Sequence, residues 1–332
     1  MPAVKREFDA AVDALRAGDE DAVWQILSSL GREPDACEYA IGRLDDPDPV
    51  IRETACDLVG MAADANENLR SAAAEALLAV SAPASIESLV WALGRTYDAR
   101  VLPRLLNFEA DPDAAVRLAV ASSLPKLLEW GAPEPSEVID ALIALSSDPD
   151  DEVRDWATFG LGQMTDADGP EVRAALLERS ADRCQDAREE GVCGLARRRD
   201  PRGITLLGDL LAEELLQVVV VRTAALVGDQ SYLPLLGAFD AGDPGVASAL
   251  RECDPVQRAA RDDFAWRLMD VVATVRPDLE PSLYCERFEP GIWLDVALDG
   301  ERCTYLIDAL IDVHGGDVDL AVASVVTAVA GA

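Results

Sequence analysis

The sequence has very little positive charge for its length. Only Lys5 and Lys126 are lysines among 332 residues, and 29 basic residues oppose 62 acidic ones, which gives a formal net charge of −33. Such a field repels phosphate backbones and attracts cations, although physiological salt screens it within roughly 8 Å. We therefore expect no nucleic-acid partner. If charge contributes to binding, we expect a basic protein or peptide as the partner. The acidity fits a purely solubilising role equally well.

Histidine is nearly absent, and this excludes several kinds of active site. The single residue, His314, lies in a loop-like Val-His-Gly-Gly-Asp stretch, where a helix cap or a solvated side chain is expected. Without a second histidine, Ser-His triads and three-histidine metal sites have little support. The glycine pairs lack the spacing and the lysine of a phosphate loop, and the aspartate clusters lack the pattern of a calcium loop. We predict that the protein is not an enzyme and that it has no catalytic residue, no cofactor and no metal.

The sequence also lacks a disulfide framework and long apolar runs. Its seven cysteines are scattered, odd in number and without a C-x-x-C pair, so we expect reduced, buried core residues. The apolar runs 215–221 and 320–332 are much shorter than the roughly 20 residues that cross a membrane. The N-terminal residues do not resemble a signal peptide. The sequence predicts a soluble, cytoplasmic protein without membrane contact.

Alanine and leucine are abundant and aromatic residues make up only 5%, which favours closely packed helices. An aspartate is followed six residues later by an arginine at four places. In the last three, successive aspartates lie 37 and 34 residues apart, a period typical of a solenoid. The four pairs are Asp46 and Arg52, Asp111 and Arg117, Asp148 and Arg154, and Asp182 and Arg188.

Each arginine lies near the start of an amphipathic helix, and shorter helical patterns at 138–145, 172–179 and 204–211 fall between these segments. Asp before a helix accepts hydrogen bonds from its free N–H groups, so we expect the aspartate of each pair to cap its helix. The repeating unit is predicted to be a helical hairpin.

These hairpins resemble HEAT-like repeats of the bacterial type found in phycobilisome lyases, in the Asp-Pro turn, the Val-Arg helix start and the small residue that follows. The resemblance is strong over about residues 34–230. It implies an all-α fold, a right-handed α-solenoid (α-α superhelix) in which the aspartates and arginines form a ladder. An arginine has five donors, enough to bridge an Asp of its own unit and a carbonyl or carboxylate of the next.

The domain prediction follows the repeat signal. Residues 1–33 form N-terminal capping helices, 34–240 form the repeat array, and 241–332 form a mostly helical C-terminal capping region. One hairpin without a ladder pair is expected at 68–93, with Ile86 in the place of the arginine.

Two stretches allow a strand. The valine run before Arg222 is predicted to be the second helix of a hairpin, because it lies one period after Arg188. The alternation in 292–298 and the following Asp299-Gly300 favour a β-hairpin. Helical spacing from Tyr305 onward favours a helical pair there instead.

The candidate partner-binding residues deviate from the repeat. Trp156 and Phe159 stand where other units have small side chains, and either anchor a partner or fill the core. A basic segment is either a docking patch for an acidic group or a set of helix-end and ion-pair contacts. Its arginines are Arg197, Arg198, Arg199 and Arg202.

These features favour a non-catalytic scaffold that binds a partner protein or peptide on the concave face. The alternatives are an acidic immunity or inhibitor protein that neutralises a basic toxin or nuclease, and a HEAT-like lyase or glycosylase. A glycosylase needs a basic groove for DNA, which the net charge disfavours. No residue pattern indicates a bilin pocket.

Overall fold

The structure, a computed structural model, describes residues 2–129, 131–213, 217–286, 289–298 and 301–330. The fold is an all-α solenoid with one small sheet near its C-terminal end. The chain divides into two compact units, Met1–Gly191 and Val192–Ala332. This division falls inside the region for which a continuous repeat array is predicted.

The first unit consists of helical hairpins. The bounds of its helices are α1 Pro2–Ala17, α2 Glu20–Leu30, α3 Ala36–Ile41, α4 Pro49–Ala65, α5 Arg70–Ala79, α6 Ile86–Gly94, α7 Leu102–Leu106, α8 Ala114–Ser123, α9 Ser136–Leu145, α10 Asp151–Phe159 and α11 Pro170–Arg179. Helix α12, Gln185–Arg197, contains the division between the units.

The second helices of successive hairpins pack in a row, α4 against α6, α6 against α8, and α8 against α10. Small residues allow this close approach. A Cβ on Gly60 of α4 would lie 2.7 Å from Cα of Ala92 in α6, so no larger residue fits there without a shift. The abundant alanine and glycine of the sequence thus let the second helices form one continuous layer.

Three of the four second helices that carry a ladder arginine begin at an aspartate, but not at the predicted one, whereas α12 follows Cys184. Asp48, Asp113 and Asp150 are the N-caps of α4, α8 and α10. The ladder residue Asp46 lies two residues earlier and accepts a hydrogen bond from the N–H of Asp48 at 3.0 Å. The prediction that the ladder aspartate caps the helix is therefore wrong. Within the Asp-Pro-Asp turn, the second aspartate caps the helix. The carboxylate of the first remains able to accept hydrogen bonds from an arginine of the neighbouring hairpin.

The ladder joins each hairpin to the next. Arg117 donates from Nε and Nη2 to the two carboxylate oxygens of Asp148 at 2.7 and 2.8 Å. It also donates from Nη1 to the backbone carbonyl of Asp111, at 2.8 Å. The arginine thus contacts the main chain of its own turn and the carboxylate of the next turn. A planar guanidinium suits this two-sided contact because its donors are fixed in a fork.

Arg154 repeats this geometry one hairpin later. It reaches both oxygens of Asp182 at 2.9 and 3.0 Å and the carbonyl of Asp148 at 2.9 Å. The hydrogen bonds from Arg154 lower the pKa of Asp182 to about 2, against the opposing effect of burial. Asp182 also receives Arg179 at 2.9 Å. The carboxylate predicted to pair with Arg188 thus accepts from two other arginines.

The ladder is interrupted at the hairpin formed by α5 and α6. The N-cap of α6 is Ser85, so the ladder aspartate is replaced by Pro83 and the ladder arginine by Leu89, not by Ile86 as predicted. Arg52 of the preceding hairpin still donates to the carbonyl of Asp46 at 2.8 Å. Its buried Nε has no hydrogen-bond partner within the part of the chain that the structure describes.

The second unit begins with further hairpins and ends in an α/β segment. Its helices are α13 Pro201–Leu211, α14 Val218–Val227, α15 Leu233–Leu236, α16 Pro244–Cys253, α17 Pro255–Val275, α18 Ile307–His314 and α19 Val318–Ala330. The valine run is helical, as predicted, and α14 packs against α16 around a shared apolar core.

The small sheet lies between α17 and α18 in the sequence. Its strands, β1 Glu280–Tyr284, β2 Trp293–Leu298 and β3 Glu301–Leu306, are antiparallel in the order β1-β2-β3. The hairpin alternative therefore applies to β2 and β3, while the predicted turn Asp299-Gly300 lies outside the described residues. The apolar spacing that favours a helix from Tyr305 onward corresponds to a helix only from Ile307, where α18 begins.

The described residues also bear on the predictions about cysteines and membranes. The seven cysteines all lie in the described residues and form no disulfide there, and four of them are buried. Cys184 and Cys303 are half-buried and Cys285 is exposed, so the prediction of burial is wrong for these three. Within the described ranges, no helix is both long enough and apolar enough to cross a membrane.

We expect Arg154→Ala to destabilise the first unit by about 3 kcal/mol, the lower end of the range for breaking a buried ion pair. The side chain of Arg154 is 7% exposed, and its loss leaves a buried carboxylate and two carbonyls with fewer donors. Urea unfolding at pH 7 measures the loss. Arg183→Ala is the control, because Arg183 also pairs with Asp151 but is 75% exposed. Its effect should stay below about 1 kcal/mol. Equal urea midpoints for the two variants would contradict the ladder.

Pro83→Asp should stabilise the protein by restoring the missing contact. The new carboxylate would stand at the position that Asp148 and Asp182 occupy opposite their arginines, and would accept from the unpartnered Nε of Arg52. We expect a gain of about 1 kcal/mol, the usual net contribution of an intramolecular hydrogen bond to stability. Thermal unfolding in the Arg52→Lys background is the control, because a lysine lacks the fork and should lose most of the gain. A gain of equal size in both backgrounds would rule out a restored ladder contact.

Candidate functional site

The predicted aromatic pair lies on α10. The Trp156 side chain is 41% exposed and meets Phe159 edge-to-face, with ring centroids 5.8 Å apart. Ala157 and Thr158 of the same helix are buried. Trp156 therefore does not fill the core, and its ring is available to a partner.

The predicted basic patch makes contacts within the chain itself. Arg199, with a positive φ of 54°, donates to the carbonyls of Leu226 and Val227 at the end of α14. Arg202 forms a two-point contact with Asp200, at 2.9 and 2.8 Å. Arg198 donates to the carbonyl of Gly194, and Arg197 is half-buried at the end of α12. The described contacts of Arg198, Arg199 and Arg202 thus help hold helix ends, which matches the structural alternative for this segment.

A groove in the first unit combines tryptophan and carboxylate side chains. It has a volume of about 550 Å³ and is lined by residues of α1, α2, α4 and α6. We call it the tryptophan groove, after Trp24 and Trp91 on its apolar wall. Glu53, Asp57 and Glu87 form its acidic side, and we call these three the first acidic cluster.

The repeat places the first acidic cluster on a common face. Glu53 and Asp57 lie five and nine residues after the N-cap of α4, while Glu87 lies two residues after the N-cap of α6. Rotation by 100° per residue puts positions two, five and nine on the same side of a helix. Because α4 and α6 pack side by side, these carboxylates meet across their contact.

The acidic side of the groove is electrostatically strained. Burial, the largest effect, and the charge of Glu53 together raise the pKa of Asp57 to about 7, while Arg95 and Ser88 act in the opposite direction. Burial and the charge of Glu87 likewise raise the pKa of Glu53. Among the described residues, neither Glu53 nor Asp57 has an ion pair within 4.0 Å. Half-buried carboxylates that repel each other are poised to bind a cation.

The tryptophans already bind cations of the same chain. The Arg95 guanidinium lies 5.2 Å from the ring centroid of Trp24 and 5.7 Å from that of Trp91. The Lys126 ammonium is 5.4 Å from the Trp91 ring. Distances below 6 Å allow cation–π attraction. Trp24 nevertheless remains 54% exposed, so part of its surface is open to a partner.

The groove is not predicted from the sequence, because the helices are compared there only through the ladder arginine. The signal was present in the spacing: acidic residues recur at positions two and five after the helix start. In α6, which has no ladder pair, position two becomes visible only when the helix is aligned on its true N-cap, Ser85.

No metal site emerges from the described residues. They contain no group of three or more His, Cys, Asp or Glu side chains arranged to hold a metal ion. His314 ends α18 and is followed by Gly315 in the left-handed conformation, which is the geometry of a helix C-terminus.

Known proteins share this architecture. A sequence profile of HEAT repeats matches residues 88–162. Protein YibA from Escherichia coli K12 is 32% identical over 98 residues, which are 30% of this chain and 35% of YibA, so the alignment spans about a third of that relative.

Two solved structures are similar. The X-ray structure of YibA aligns with a TM-score of 0.52 and 20% identity, over 76% of this chain and 95% of that one. The complex of CpcE and CpcF of phycocyanin lyase from Nostoc aligns with a TM-score of 0.44 and 19% identity, over 65% and 86%. The likeness to YibA shows a shared fold. The profile match shows that residues 88–162 are similar to HEAT repeats, in agreement with the stacked hairpins of the first unit.

Proposed function

We propose that this protein is a non-catalytic scaffold that binds a basic segment of a partner protein in the tryptophan groove. The observation that carries the proposal is the first acidic cluster, whose carboxylates Glu53 and Asp57 are half-buried and lack an ion pair among the described residues. An arginine or lysine of a partner supplies the missing positive charge. Trp24 and Trp91 supply apolar contact beside it.

The energetics favour a cationic side chain over an apolar one. A guanidinium entering the groove relieves the repulsion between the carboxylates and forms charge-assisted hydrogen bonds, which are about twice as strong as neutral ones. Aromatic anchors in a partly desolvated groove carry a large share of binding energy at interfaces. Arg95 illustrates this chemistry within the chain, since its guanidinium already stacks against both tryptophans.

The net charge of −33 favours a second candidate function, which is also the binding of a basic protein. An acidic inhibitor that neutralises a basic toxin or nuclease uses its field to accelerate association. Such binding is very fast at low salt and slows steeply as salt rises. A scaffold that recognises a basic segment through the groove depends mainly on contacts within the groove, and its dissociation rate changes most when those contacts are altered.

Binding of a short cationic probe tests the proposed function. A dye-labelled peptide with two adjacent arginines in a Gly-Ser sequence should bind the protein, and fluorescence anisotropy measures its Kd. Trp24→Ala should weaken binding about tenfold, equivalent to about 1.4 kcal/mol. Binding should also weaken as the pH falls from 8 to 6, because the pKa of Asp57 is about 7 and the protonated carboxyl no longer attracts a cation.

Two controls accompany this measurement. A peptide with glutamine in place of both arginines should not bind. Asp45→Asn removes one exposed charge from the same unit and should leave the Kd unchanged within about twofold. Equal weakening by Asp45→Asn and Trp24→Ala would mean that the general field, not the groove, binds the peptide.

Asp57→Asn should stabilise the free protein at pH 8. The pKa of Asp57 is raised from 3.8 to about 7, mainly by burial, so its ionisation costs folding stability above pH 7. Asparagine does not ionise and avoids this cost. The stabilisation relative to wild type should therefore shrink as the pH falls from 8 and disappear below about 4. Thermal unfolding between pH 4 and 8 provides the measurement, with Asp45→Asn as the matched control. A variant less stable than wild type at pH 8 would contradict a strained binding site.

A further inference from the structure

The second unit contains a large cavity, which we call the second-unit cavity. It has a volume of about 680 Å³ and is lined by the start of α14, the first turn of α16 and residues at the start of β2. All of its lining residues belong to the second unit. Small molecules bind in clefts of about 300–1,000 Å³ that have mostly apolar walls and a few polar groups. The size of the second-unit cavity is therefore typical of a small-molecule site.

The wall of the cavity is largely apolar. Val221 and Val246 belong to the core that α14 and α16 share, and Phe239 packs against the same core. Trp293 of β2 adds a second aromatic ring. Val218 also lines the cavity although it is 79% exposed. A ligand with an apolar side chain removes such surface from water, which favours binding.

Among the described lining residues, the one cation is Arg222. It lies one repeat period after Arg188, in the position of a ladder arginine. The matching ladder aspartate would stand two residues before the N-cap of α16, as Asp148 stands two residues before the N-cap of α10. Ala241 occupies that position and has no carboxylate. The loss of the ladder contact therefore leaves the guanidinium available to the cavity.

Two donors in the cavity wall lack acceptors within the described part of the chain. The Arg222 side chain is 31% exposed, and its Nη1 lies 4.0 Å from Oε1 of Glu289, which is too long for a hydrogen bond. Arg222 makes no hydrogen bond to another described residue. The buried indole Nε1 of Trp293 likewise has no partner there. Since buried polar groups are normally hydrogen-bonded, these donors indicate a ligand that supplies acceptors.

Carboxylates line the exposed rim of the cavity. Asp243 caps α16, and Asp240 accepts a hydrogen bond from the N–H of Gly242 at 2.8 Å. The Glu289 side chain is 60% exposed, and the structure records only the long ion pair with Arg222 for it. The rim charges disfavour a simple anion, and Arg222 disfavours a simple cation. A ligand that carries both charges on neighbouring atoms fits between Arg222 and Glu289.

We propose that the second-unit cavity binds an α-amino acid with a large apolar side chain, in its zwitterionic form. The carboxylate of the ligand pairs with Arg222 and its ammonium pairs with Glu289, so that two charge-assisted contacts replace one long ion pair. The side chain of the ligand packs against the apolar wall beside Phe239 and Trp293. This small-molecule site is distinct from the tryptophan groove and from the basic partner segment proposed to bind there.

Four ligands test the site by calorimetric titration of the full-length protein at pH 7. L-Phenylalanine has both charges and an aromatic side chain. 3-Phenylpropionate lacks the ammonium, phenethylamine lacks the carboxylate, and glycine lacks the side chain. Because each analogue loses one of the three contacts, we expect phenylalanine to bind at least about tenfold more tightly than any of them.

Variants assign each charge of the ligand to its residue. Arg222→Gln should weaken phenylalanine binding about tenfold and should not weaken phenethylamine binding, because the amine has no carboxylate to lose a partner. Glu289→Gln should weaken phenylalanine binding by a similar factor and should not weaken 3-phenylpropionate binding. Arg267→Gln is the matched control, since Arg267 is an exposed arginine of the same unit outside the cavity wall. Circular dichroism verifies that each variant is folded.

Several results would overturn the amino-acid site. Phenethylamine that binds as tightly as phenylalanine would mean that the acidic surface attracts cations in general. Equal binding of 3-phenylpropionate would mean that Glu289 makes no contact, and equal binding of glycine would mean that the apolar wall makes none. Absence of saturable phenylalanine binding at about 10 mM, or binding that Arg222→Gln leaves unchanged, would also overturn it. None of these results affects the proposed function, because the tryptophan groove belongs to the first unit.

Discussion

The contact on which the rest of the first unit depends is the two-sided arginine of the ladder. Arg117 and Arg154 each hold the main chain of their own turn and the carboxylate of the next, with little exposure to water. A buried guanidinium with a bidentate partner tolerates little change in distance or angle, so it fixes the offset between neighbouring hairpins. Small side chains between the second helices add to this contact, and they hold α4 against α6, where the ladder is interrupted.

A fixed offset has a consequence for function. It brings equivalent positions of successive second helices together, and acidic residues placed at positions two and five then meet across helix contacts. In an irregular fold such carboxylates would move apart to relieve their repulsion. At the contact of α4 with α6, where the ladder is interrupted, the close packing of Gly60 on Ala92 holds them, and the raised pKa of Asp57 is the physical cost. We interpret this raised pKa as the signature of a site that binds cations.

The sequence predicted the architecture well because the repeat signal is local. Hairpin period, proline position and the Asp-to-Arg spacing together predicted the all-α solenoid, including the helix formed by the valine run. Prediction from the sequence failed where the geometry depends on contacts with the neighbouring hairpin. The N-cap role belongs to Asp48 rather than Asp46, and Arg117 reaches across to Asp148. The tryptophan groove was missed for the same reason, since Glu53 and Glu87 lie far apart in sequence and meet only through the stacking of α4 on α6.

Binding in the tryptophan groove requires that Asp57 and its neighbours receive a positive charge from a partner. Calorimetric titration with the two-arginine peptide at pH 7, in buffers of different ionisation enthalpy, measures the protons exchanged on binding. A cation lowers the pKa of a nearby carboxyl, and the pKa of Asp57 in the free protein is about 7. We therefore predict that binding releases a substantial fraction of a proton from the wild-type protein. We predict no proton release from Asp57→Asn. Binding without proton release in the wild-type protein, or with the same release in Asp57→Asn, would contradict it.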